Sequence, residues 1–179
     1  ARFDETKLLW QNGQWIRKIA DEQGIDALYE RTAGFWPESA QPYEDDYKKQ
    51  ILSIIYDRLK TLKDLETMTT YFFSDPEIDI EMITNNKFLK KLSEEELSEL
   101  LQNAANELEN TTWDEESLQA TLNQLLEQTG KKPAELFSLI RISLSYAPFS
   151  PALHQTLAVL GKNISLARLR KTITAIENH

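Results

Sequence analysis

Apolar residues recur at spacings of three and four along almost the whole of this 179-residue chain, and no run alternates apolar with polar residues. That period belongs to helices with one buried face, because side chains three and four apart lie on the same side of an α-helix, whereas a strand needs a repeat of two. Only five glycines interrupt the pattern. The expected fold class is therefore all-α, built as two consecutive helical bundles.

Asp4 is placed to cap a first helix, with Leu8, Leu9 and Ile16 turned toward a core and Trp10 and Trp15 adding aromatic area. A second helix is expected from Asp21 to Gly34, before a loop marked by Pro37 and Pro42. The third, from Tyr43 to Glu66, carries Tyr47, Ile51, Ile54, Ile55, Leu62 and Leu65 at helical spacing. Phe72 and Phe73 follow, and Ser74-Asp75-Pro76 reads as a turn dividing residues 1–74 from residues 75–179. Beyond it, Ser93 with Glu96 and Thr112 with Glu115 have the spacing of capping boxes. Gly130 suits a left-handed stop, and Pro133 a helix start with Leu136, Phe137, Ile140 and Leu144 inward. Ser150 and Pro151 open a further helix ended by Gly161, and Ser165 is placed to cap the last.

With 41% hydrophobic residues the chain can bury a core. It has no run of about 18 apolar residues to span a bilayer and no secretory signal pattern, which points to the cytoplasm. The absence of cysteine excludes disulfides and thiolate metal sites. His154 and His179 are too few and too far apart for a metal cluster, so no metal site is expected. No glycine-rich strand-to-helix turn is present to cradle phosphates. Glu94, Glu95, Glu96 and Glu99 stand in the first turns of a helix, where the backbone dipole favours them. Ser143, Ser145 and Ser150 have no histidine and acid arranged about them. No catalytic residue and no cofactor is therefore expected in this chain.

The net charge of −9 argues against nucleic acid until its distribution is considered. Residues 75–116 hold 13 acidic and 3 basic side chains, a balance of −10, while residues 131–179 hold 7 basic and 2 acidic, a balance of +5. A basic end beside an acidic middle can present a locally positive face. In that end, Arg141 sits among apolar helix residues and precedes the loop Ser145-Tyr146-Ala147-Pro148-Phe149, which Ser150-Pro151-Ala152-Leu153 follow at a helix start. Prolines and a helix start there offer flat apolar contact and backbone amides to an unstacked base.

Three segments carry a resemblance, in order. FDETKLLWQNGQWIRK (3–18) resembles the stretch that follows the catalytic domain in bacterial-type glutamyl-tRNA synthetases. DRLKTLKDLETMTTYFF (57–73) is similar to a helix pattern of that family ending in an aromatic pair, and ELFSLIRISLSYAPFSPALHQTLAVLGK (135–162) resembles its C-terminal anticodon-binding motif. The resemblance covers essentially the entire chain and implies the anticodon-binding helical type of class I synthetases, cut off from the catalytic domain. Residues 1–74 would form the stem-contact junction and first anticodon-binding bundle, and residues 75–179 the C-terminal anticodon-binding bundle. Arg58 then falls where the family reads the third anticodon base, and implies a parent enzyme that discriminates against glutamine tRNA. Arg141 would contact the middle uracil, while Ser150, Pro151 and Leu153 would pack on and hydrogen-bond the first base.

This chain departs from the family where many members have Thr-Gly, since it has Ser145-Tyr146, and where they have an aromatic after Leu153, since it has His154. Tyr146 either stacks on a base or rearranges the loop. Lys7 and Arg17 are candidate contacts to the tRNA backbone, and Trp10 and Ile16 are read as packing residues. The implied partner is glutamate tRNA, with no membrane, no DNA and a monomeric chain. ATP and magnesium would serve the intact ligase elsewhere. From another class, the alternative is a helical protein-interaction module using the acidic face of residues 93–116.

Overall fold

The computed structural model describes residues 4–179, and among them the backbone forms eleven α-helices and no strand. The start of the first motif, including Phe3, lies outside the described residues. Two compact units are formed, Ala1–Ser74 and Asp75–His179.

In the first unit, Asp4 Oδ1 accepts the Lys7 N–H at 3.2 Å and starts α1 (Glu5–Gln23). Gly24, at φ 92° and ψ 166°, ends it, so the next helix is the short α2 (Ile25–Glu30) rather than one running from Asp21 to Gly34. Ile16 and Ile19 are buried, but Leu8, Leu9, Trp10 and Trp15 are exposed, which corrects their expected inward placement. The helix expected over Tyr43–Glu66 is also broken, into α3 (Asp45–Ile55), a 3-10 turn at Tyr56–Arg58 and α4 (Asp64–Met68). Had α3 continued, Arg58 would stand seven residues from Ile51, on the apolar stripe. Breaking at Tyr56 turns Arg58 outward and lets Leu59 bury completely. The Asp64 carboxylate holds the new turn by accepting the Lys60 and Thr61 amides at 2.9 and 3.1 Å.

Phe72 and Phe73 close the unit in α5 (Thr70–Phe73). Their carbonyls, left without helical partners, accept the hydroxyls of Tyr47 at 2.7 Å and Tyr43 at 3.0 Å. The Phe73 ring meets Trp36 and Tyr43 edge-on at 5.9 and 5.1 Å, so aromatic contacts replace a long helix as the core of this end.

The second unit contains α6 (Glu81–Thr84), α7 (Glu94–Glu109), α8 (Glu115–Thr129), α9 (Pro133–Ser145), α10 (Leu153–Leu160) and α11 (Lys162–Glu177). Its most extensive pairing is α7 along α11, and α9 packs on both. Leu97, Leu101 and Leu108 of α7 and Leu166, Leu169 and Ile176 of α11 are buried, as are the small Ala104 and Ala105, whose size suits a close helix pair. Ser93 caps α7 as expected, accepting the Glu96 amide at 3.1 Å. The cap of α8 is Asp114 instead of Thr112, its carboxylate reaching the Ser117 amide at 2.8 Å. Gly130 takes the left-handed φ of 67° at the end of α8, and Pro133 opens α9. Ser150 and Pro151 stand just ahead of α10, whose first residue is Leu153. Ser165 lies inside α11 and is buried, because Gly161, at φ 87°, already provides the turn between α10 and α11.

Candidate nucleic-acid interface

In each unit a cleft brings arginine and exposed aromatic side chains together. In the first, a cleft of about 320 Å³ is lined by Leu9, Trp10, Gly13, Arg17, Arg58 and Lys60. Gly13 lets α1 approach the 3-10 turn, since a Cβ there would stand 3.3 Å from the Leu59 carbonyl oxygen. Arg17 Nη1 donates to the Asp57 carbonyl at 3.2 Å and so latches to α1 the turn that presents Arg58. Arg58 itself is 42% exposed and stands 3.7 Å from the Asp57 carboxylate, a long surface pair of the kind that contributes little. Trp10, at 62% exposed, forms the rim of this cleft and is not the packing residue its helical spacing implied. Lys7 is exposed on the first turn of α1 and does not line the cleft.

In the second unit, a cleft of about 290 Å³ joins Met82, Asn86, Arg141, Ala147, Phe149 and Ser150. Arg141 projects from the half-buried face of α9. The Ser150 hydroxyl is buried and has no hydrogen-bond partner, which leaves it a donor and acceptor to offer. Pro151 is buried and Leu153 only 3% exposed, so both shape the loop from beneath instead of presenting a face to a base. That apolar face belongs to Phe149, 76% exposed on the rim. Sequence reasoning missed Phe149 as a site residue, although an aromatic between Pro148 and Pro151 lies outside any helical stripe and cannot join the core by period. Met82 and Asn86 carried no such signal, because they reach the cleft from a segment more than 50 residues before Arg141.

Tyr146 stands at the C-terminal end of α9. Its backbone is left-handed, φ 43° and ψ 40°. Its hydroxyl meets Thr172 Oγ1 on α11 at 2.5 Å, and burial pushes its pKa up.

Near this ring, Asp75 Oδ2 accepts from Lys171 at 3.2 Å and Oδ1 from Arg168 at 3.3 Å, contacts that hold its pKa below the ordinary 3.8. Glu135 is likewise held below 4.5, first by the Lys132 amide and then by Lys91. A carboxylate with a depressed folded pKa stabilises the fold above its unfolded pKa, and that stabilisation is lost as pH falls through the folded value. The melting temperature is accordingly expected to hold near neutral pH and to drop once pH passes below 4.5 and then 3.8. Asp75→Asn should flatten the lower part of that drop in thermal melts followed by circular dichroism. An unchanged acid slope in the variant would remove Asp75 from this account.

Known proteins share the sequence pattern and the fold of this chain. A family model described as an anticodon binding domain matches residues 27–173. The chain is 31% identical to the glutamate–tRNA ligase of Chloroflexus aurantiacus over 182 residues, covering 99% of this chain and 36% of that protein. It is 32% identical to the glutamate–tRNA ligase of Roseiflexus castenholzii, covering 98% of this chain and 35% of that protein. Among solved structures, a glutamate tRNA ligase from Elizabethkingia meningosepticum in complex with its amino acid superposes with a TM-score of 0.75 at 19% identity, over 98% of this chain and 33% of the other. A glutamate-tRNA synthetase from Elizabethkingia anophelis gives 0.70 at 21% identity, over 97% of this chain and 32% of the other. The all-α fold is therefore shared, and the chain spans about a third of the length of the relatives it matches.

Proposed function

Because the chain belongs to the anticodon binding domain family, whose model matches residues 27–173, we propose that it recognises the anticodon of glutamate tRNA through the Arg58 and Arg141 clefts. The single observation that carries this reading is the composition of the clefts: each sets a guanidinium beside an exposed aromatic, Trp10 in one and Phe149 in the other. Guanidinium donates and never accepts, and an aromatic face stacks on any base. Arg58 suits the third base, cytosine, whose pairing edge offers adjacent acceptors, and disfavours guanine, which offers donors there. Arg141 suits the carbonyl oxygens of the middle uracil. The Ser150 hydroxyl and the Phe149 face suit the first base, with Pro151, Leu153 and Tyr146 shaping the loop that holds them. Arg17 supports Arg58 through the Asp57 carbonyl of the same turn, and Lys7 is assigned to a backbone phosphate.

In this reading the chain acts as the anticodon-reading part of a monomeric cytoplasmic ligase, touching neither membrane nor DNA. Attachment of glutamate with ATP and magnesium belongs to the remaining two thirds of such a protein, and this chain is non-catalytic by itself. The acidic face of residues 93–116 is not favoured as a protein-binding surface. Three of its carboxylates are engaged within the unit, Glu96 with Lys131, Glu109 with Arg170 and Glu94 with His179.

The test uses two anticodon hairpins differing only in the third base. At low salt, where lysine and arginine contacts to phosphate are least screened, the cytosine hairpin should bind about tenfold tighter than the guanine one, the effect of one hydrogen bond to a charged group. Arg58→Gln should bring the two together. Equal affinity in the unsubstituted chain, or binding of neither hairpin at high concentration, would sink the proposal.

A further inference from the structure

Helix α9 ends in Tyr146, the one non-glycine residue with positive φ among the described residues. A Cβ crowds the backbone in that conformation, so something outside the turn must hold it. Two residues one turn apart on α11 do so. Arg168, 5% exposed, donates from Nη1 to the Leu144 carbonyl at 2.8 Å, placing a positive charge against the carbonyl end of α9. Asp75 orients that guanidinium by accepting from its Nε at 3.3 Å, and accepts at its other oxygen from Lys171. Thr172 meets the Tyr146 hydroxyl. Inside the turn, the Ser145 hydroxyl donates to the Arg141 carbonyl at 2.9 Å and accepts the Ala147 amide at 3.3 Å, joining the helix that carries Arg141 to the first residue of the loop. The loop that leaves from this point carries Phe149 and Ser150 to the cleft.

We propose that Arg168 and Thr172 are positioning residues for the Arg141 cleft. They fix the end of α9 and the left-handed Tyr146, and through them the direction in which Phe149 and Ser150 face a bound base; the ligand assignment rests on the anticodon reading above. The brace ties the base-contacting loop to a helix that itself contributes no residue to the cleft. Its loss should therefore degrade the choice between bases more than the attraction to RNA.

Three variants of the full chain test this. Tyr146→Phe removes the hydroxyl and keeps the ring, Thr172→Val removes its partner at equal size, and Arg168→Lys keeps the charge but not the fork that spans Leu144 and Asp75. Amide hydrogen exchange at Ala147 and Phe149 should quicken about fivefold in Tyr146→Phe and Thr172→Val, the effect expected of one neutral hydrogen bond. The double variant should be no faster than either, and amides of α7 should be unchanged. The ratio of affinities for hairpins with a pyrimidine or a purine as the first base should fall by a similar factor in all three, while the salt dependence of binding, which counts phosphate contacts, stays the same. Unchanged loop exchange, a uniform rise across α7 as well, or an unchanged base ratio in a mobilised loop would each overturn the brace. If the unsubstituted chain binds no hairpin, the anticodon reading falls and the assigned role falls with it. The exchange data then distinguish that failure from failure of the brace itself. Should Arg168→Lys fail to fold, the two conservative variants at positions 146 and 172 decide the matter.

Discussion

Arg141→Ala is expected to weaken an anticodon hairpin of glutamate tRNA by about ten- to a hundredfold, the effect of removing a charged donor from a half-enclosed site. Three features set the size of the effect. Arg141 is half-buried on α9, so its guanidinium is already partly desolvated and a base meets it in a setting where hydrogen bonds to charge are strong. The cleft it lines also holds Asn86 and the buried Ser150 hydroxyl, polar groups close enough to act on the same ligand. The flat fork of the side chain adds geometry that an ammonium lacks, so Arg141→Lys should restore only a small part of the loss. Hairpins differing in the third base should be weakened alike, because that base is assigned to the other unit. Fluorescence anisotropy with labelled hairpins gives both numbers, and thermal melts establish that the variant remains folded. An affinity equal to that of the unsubstituted chain would remove Arg141 from the interface.

The largest expected effect on stability is at Leu169. This residue is fully buried on α11, in the helix that pairs along α7 and also meets α9. Truncation to alanine removes apolar contacts and leaves a space that the rigid helix pair fills only in part, at a cost of about 2–5 kcal/mol. A domain's whole stability is about 5–15 kcal/mol, so Leu169→Ala should bring the second unit close to unfolding under mild denaturant. Ile164, a few residues earlier on the same helix but exposed, is the internal control: its truncation should change stability by no more than about 0.5 kcal/mol. Trp113 lies in the second unit and the other three tryptophans lie before residue 75, so urea unfolding read from its fluorescence with Trp10, Trp15 and Trp36 replaced by phenylalanine reports on that unit selectively. Comparable shifts for the two variants would contradict the packing described for α11.

The sequence reading of the helices held where the signal was local. Ser93, Gly130, Pro133 and Gly161 act on backbone groups within one turn of themselves, and each marks a helix end in the structure. It failed where a spacing had two solutions. The stripe through Ile51 and Ile55 continues in sequence to Leu62 and Leu65, and nothing local says that the chain will leave the helix at Tyr56 to keep Arg58 out of the core and put Leu59 into it. Leu8 and Leu9 have core spacing on a helix whose first turns lack a neighbour to bury them in the first unit. At the Arg141 cleft, the helix, the loop and the proline boundaries were legible, but the division of labour within the loop was not. Leu153 and Phe149 are both large and apolar, and only packing decides that the first is covered and the second exposed.

What the sequence determined by itself was the all-α class, several helix ends and the resemblance that singled out Arg58, Arg141 and the loop after α9. These follow from hydrogen bonding within a turn and from the 3.6-residue period, both encoded in neighbours. The tertiary structure alone decided that Arg17 and Trp10 join Arg58 in one cleft, that Met82 and Asn86 join Arg141 in the other, and that Tyr146 holds a left-handed turn against Thr172 on another helix. Each of those outcomes depends on contacts between residues far apart in the chain, whose energies no local propensity contains.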